Sequence, residues 1–126
     1  MKKKTTIGYL EGTDPMFLSY CTALGINTLP LSNGWDSHGK YVGLLSPRDN
    51  LKLVVAPLHK LVAPVELTQK PSDFLLACTV HHIPVLVVAP AAVLAQARKL
   101  LVGVKARLVW SAPEELFEKA LAALKS

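Results

Sequence analysis

Cysteine, aromatic and charged residues are all sparse here. Only two of 126 residues are cysteine, aromatics make up 6% and charged residues 18%. Cys21 and Cys78 stand far apart, each within an apolar helical pattern, and read as buried, inert thiols, a disulfide or metal pair being the alternative. No apolar run approaches the ~20 residues of a membrane span. Lys2, Lys3 and Lys4 precede no long apolar segment, which speaks against a secretory signal and for a cytoplasmic protein. Those lysines carry three of the five net positive charges and are expected to form a flexible basic end. The other Lys and Arg are scattered and not interleaved with aromatics, so no nucleic-acid footprint and no membrane association is expected.

Common chemical signatures are missing as well. Neither G-x-G-x-x-G nor G-x-x-x-x-G-K-[ST] occurs. No Ser-His-Asp or Cys-His arrangement, and no metal set, follows from spacing. A receiver domain needs an acid after its third strand, where this chain reads Ala56-Pro57-Leu58.

What is present is half apolar (51%) and broken into short runs, the mark of one globular domain over residues 1–126. The tetrapeptide VVAP occurs at Val54–Pro57 and again at Val87–Pro90. Consecutive valines suit a strand buried on both faces, and proline removes a ladder donor and ends it.

Five strands are expected: Thr5–Leu10, Ile26–Leu31, Leu51–Ala56, the run "IPVLVVA" and "KARLVW". Between them, Asp14 caps a helix with Pro15 at its first position and Gly25 as its stop. Ser72 caps a second helix through His82. A third runs from Ala91 to Val102, and Ser111 with Glu114 opens the last. The segment Ser32–Asn50 reads as a long loop with room for one short helix near Lys40–Leu45. Alternation of strands and helices predicts an α/β, doubly wound, flavodoxin-like or Rossmann-like domain with a five-stranded, mainly parallel sheet.

Such sheets bind ligands beyond the carboxyl ends of their strands. The residues expected there are Gly12, Thr13, Ser32, Asn33, Pro57, His59, Lys60 and Ser111. Gly12-Thr13 before a helix suits a phosphate, although Glu11 and Asp14 repel one. His59 is the candidate acid or base, and Lys60 the partner of a phosphate or carboxylate. Trp35 is placed to stack on a planar ring or to plug the core. His81 and His82 end a helix and point different ways, so they are assigned to structure.

From Leu53 to Ala92, about a third of the chain, the sequence resembles the family of homo-oligomeric flavin-containing cysteine decarboxylases. Ala56-Pro57, Asp73, Pro84-Val85 and Ala89-Pro90 fall at nearly that family's spacing. The family's Ala-Pro-x-Ser/Thr-Ala-Asn reads Ala56-Pro57-Leu58-His59-Lys60-Leu61 here, and its Met-Asn after the second Ala-Pro reads Ala91-Ala92. The resemblance implies an FMN-type mononucleotide at the strand ends and a homo-oligomer. The other reading is a non-catalytic interaction or accessory module, suggested by Leu58, Leu61, Val62 and Val65 in the strand-end loops.

Overall fold

The computed structural model describes residues 5–64, 67 and 69–125. Lys2–Lys4 and Val65 lie outside the described residues. Among the described residues six parallel strands form one sheet: β1 (Thr6–Leu10), β2 (Asn27–Ser32), β3 (Lys40–Tyr41), β4 (Leu51–Pro57), β5 (Val85–Val88) and β6 (Leu108–Ser111), in the order β3-β2-β1-β4-β5-β6. This is the strand order of dinucleotide-binding domains, and it reverses direction between β1 and β4.

The expected sheet of five strands is corrected to six. β3 lies where a short helix was expected, and only a turn of 3-10 helix, Val42–Leu44, follows it. A parallel neighbour ordinarily needs a long crossover. Here Lys40 re-enters opposite Leu31, at the far end of β2, so the chain steps back very little. Gly39 permits that close return, because a Cβ there would collide with the carbonyl oxygen of Pro30.

Among the described residues the α-helices are α1 (Pro15–Ala23), α2 (Pro71–Phe74), α3 (Leu76–Val80), α4 (Leu94–Leu100) and α5 (Leu116–Lys125). Period-two alternation in β4 divides the core. Leu53 and Val55 face Phe17 and Cys21 of α1 and Leu116 and Ala120 of α5. Val54 and Ala56 face the opposite layer, with Phe74, Leu75, Cys78 and Leu101. β5 splits the same way, Leu86 to the first layer and Val85 and Val87 to the second. Lys52, the one charged residue in β4, is exposed beside an irregularity in the β1–β4 register, which keeps its ammonium in water.

Local signals explain the helix ends. Asp14 Oδ1 accepts from the Met16 amide at 2.9 Å, and Pro15 takes the first helical position. At the other end of α1, Ile26 N donates to Cys21 O and Gly25 N to Thr22 O, with Gly25 at φ +75. That double bond pattern is a Schellman stop.

Two caps differ from expectation. Ser72 lies inside the first turn of its helix, which begins at Pro71, and the helix breaks at Leu75 into α2 and α3. The last helix is preceded by a 3-10 turn, Pro113–Glu115, so the cap moves one residue on. Ala112 N donates to Glu115 Oε1 at 3.4 Å, while Ser111 Oγ donates to Ala112 O at 2.8 Å. The helix expected over Ala91–Val102 is a 3-10 turn at 91–93 followed by α4. No helix among the described residues is long and apolar enough to cross a membrane.

Candidate functional site

The ends of β1 and β4 flank the point where strand order reverses, and a cleft of about 400 Å³ opens there. After β1 come Gly12, Thr13 and Asp14. Pro57 ends β4 and His59 follows it. The β5 end supplies Val88, Ala89 and Pro90, and Pro113 with Leu116 closes the far wall. Register explains why both VVAP copies reach this rim. Pro57 pairs with Val88, so the second copy runs two residues further and its Ala89-Pro90 forms a wall.

The floor is built at Gly12, which holds φ +93. A Cβ at that position would stand 3.3 Å from His59 Cε1 and 3.4 Å from Nε2, so the imidazole lies directly over the bare Cα. Few residues other than glycine hold such a backbone. The His59 imidazole has no hydrogen-bond partner among the described residues, so nothing orients it as a base toward a nucleophile. Thr13 Oγ1 donates to Leu10 O at 2.8 Å, which points the hydroxyl proton back into the turn.

Of the eight residues expected at the strand ends, Gly12, Thr13, Pro57 and His59 line this cleft. The other four have different duties. Ser32 Oγ donates to Asp36 O at 2.7 Å and accepts from Gly34 N. Asn33 is fully buried, its Nδ2 donating to Lys60 O at 3.0 Å and its Oδ1 accepting from Trp35 N. Ser111 is buried on the α5 cap. Lys60 Nζ pairs with Glu11 at 2.7 Å and lies 3.6 Å from Asp36 Oδ2.

Lys60 therefore ties the β2–β3 loop to the β1 and β4 ends beside the cleft, outside its lining. Its hydrogen bond to Glu11 raises the Lys60 pKa, and the same contact holds the Glu11 carboxyl below its usual range. Burial alone raises the Asp36 pKa, but the His38 amide, Ser32 and Lys60 outweigh it and the carboxyl titrates low. Asp36 Oδ2 is buried without a hydrogen-bond partner.

Trp35 is half-buried edge-on against Phe74, ring centroids 5.5 Å apart, and plugs the core; it does not line the cleft. Leu61 is buried and Leu58 packs against the core, so of the four apolar loop residues these two do not form an exposed patch. Cys21 and Cys78 are both free and buried, and burial pushes the Cys78 thiol up to about 12. No cluster of three or more His, Cys, Asp or Glu that could hold a metal occurs among the described residues.

Val88, Pro113 and Leu116 are lining residues that polar-residue reasoning passed over. Their signal was the second VVAP and the proline opening the last helix. Fold and cleft together define a doubly wound α/β domain with a mostly apolar strand-end pocket. No protein-family model matches the chain, and no curated protein sequence matches it significantly.

Proposed function

We propose that the protein is a small-ligand-binding domain whose cleft over β1, β4 and β5 takes a planar, largely apolar ring, with His59 as the polar contact. The observation that carries this reading is the lining itself. Pro57, Val88, Ala89, Pro90, Pro113 and Leu116 offer apolar surface at the switch point, with one imidazole above Gly12. An isoalloxazine, as in the FMN suggested by the Ala-Pro strand ends, suits those walls.

The phosphate of FMN suits them poorly. Asp14 already occupies the Met16 amide and adds negative charge, Thr13 donates to Leu10, and no lysine or arginine lines the cleft, Lys60 being taken up by Glu11. The ligand class favoured is thus a neutral ring compound, for which riboflavin is the probe. Equilibrium dialysis at high micromolar riboflavin tests it: retention by the protein, lost in His59→Ala, supports the reading, and no retention ends it.

A second reading has its own support. Leu44, Leu76 and Val80 are each more than half exposed, and the Val42–Leu44 turn packs beside α3. Self-association through that face would appear as a dimer mass in light scattering and disappear in Leu76→Lys.

A further inference from the structure

On the opposite rim, at the amino ends of β5 and β6, a second cavity of about 420 Å³ is lined by Thr79, His82, Pro84, Lys105 and Arg107, with Cys78 and Ala106 behind them. No acidic residue lines it. Lys105, Arg107 and His82 have no ion-pair or side-chain hydrogen-bond partner among the described residues, although Lys60 and Lys40 are both paired. Two cations without an ion-pair partner and an imidazole, all three exposed, border one concavity and leave it net positive.

The backbone adds an independent sign. His82 N donates to Thr79 O at 3.4 Å and Ile83 N to Cys78 O at 2.9 Å, the same Schellman stop that Gly25 makes after α1. Here the left-handed position, φ +56, is filled by histidine and not glycine. A side chain held at that conformation has a cost that glycine would remove. The same bonds, with His81 N donating to Ala77 O, satisfy the carbonyls of Ala77, Cys78 and Thr79 near the end of α3.

We infer that this cavity is a binding site for a small phosphorylated metabolite, held through its phosphate by Arg107, Lys105 and His82. A guanidinium fork and an ammonium together match the charge and oxygen geometry of a phosphate monoester. Arg107 and Lys105 flank buried Ala106 just before β6, while the Thr79 hydroxyl donates to Leu75 O at 3.4 Å and leaves the cationic side chains to hold the phosphate. The Cys78 thiol, pushed to about 12, is unsuited to act as a nucleophile, so the role is binding. The site is separate from the cleft at His59 and does not depend on a ligand there.

The test is a titration of the 15N-labelled full chain with inorganic phosphate, adenosine monophosphate and adenosine. Phosphate and the monophosphate are expected to shift the amides of His82 and of residues 105–107 saturably, and adenosine to leave them unmoved. Tighter binding of the monophosphate than of free phosphate is expected, and the reverse order would make the ligand the inorganic anion and overturn the metabolite. Lys105→Gln/Arg107→Gln should weaken both by about tenfold or more, and His59→Ala should not. His82→Gly should raise the melting temperature yet weaken phosphate binding, a split that a purely structural histidine would not produce. Linear, unsaturable shifts, equal shifts with adenosine, unchanged binding in the double variant, or much tighter binding of single-stranded RNA than of the monophosphate would each overturn the proposal.

Discussion

The His59 ring lies over Gly12, so close that a single methyl group at residue 12 would press against its Cε1 and Nε2 atoms. Gly12 lies in the turn after β1 and His59 in the Leu58–Lys60 turn after β4, so their contact joins the two strands at which sheet order reverses. Gly12→Ala should cost about 1–2 kcal/mol for the positive φ and also displace the imidazole. Gly25→Ala is the control, since it shares a positive φ but has open space around it. Urea denaturation should show similar losses for the two, whereas riboflavin retention should fall only in Gly12→Ala.

Lys60 neutralises carboxylates beside the cleft, and its removal has a pH signature. The Asp36 carboxyl titrates below its usual value in the folded protein. Its contribution is therefore present above the unfolded value of about 4 and is lost as pH falls through the folded one. Lys60→Met should cost about 1 kcal/mol at pH 7, and the gap from the parent should narrow at pH 3. Urea midpoints at the two pH values check this, and a constant gap would contradict it.

Both thiols are buried, and that of Cys78 is pushed up to about 12. Neither should react with a disulfide reagent at pH 8 in the native protein, while both should react in urea. Rapid native reaction of one thiol would place that cysteine at the surface.

Leu86 is fully buried in β5 on the α1–α5 side of the sheet. Leu86→Ala should destabilise by about 2–5 kcal/mol through the cavity it leaves. The urea midpoint should fall with little change in the slope of the transition.

The layered fold was legible because its signals are local: apolar runs in β4 and β5, Asp14-Pro15, and Gly25. The sixth strand was not, since two residues carry no periodicity and Lys40-Tyr41 pairs only because Gly39 lets the chain return against Pro30. Half of the expected site was legible for the same reason that the fold was. Strand ends fix Gly12, Thr13, Pro57 and His59, but polar type alone cannot separate a lining residue from one used internally. Ser32, Asn33 and Ser111 spend their hydrogen bonds on backbone, and Lys60 finds Glu11 by a contact that spans two strands. The cavity at Lys105 and Arg107 escaped sequence reading because His82 joins them only once α3 and β6 are placed.

The most direct test of the cleft is a 15N-detected riboflavin titration. Saturable shifts at Gly12, Thr13, His59 and Ala89, with FMN binding no tighter at those amides, are the expected result. Unmoved amides at those four residues, or FMN binding there far more tightly than riboflavin, would contradict the account.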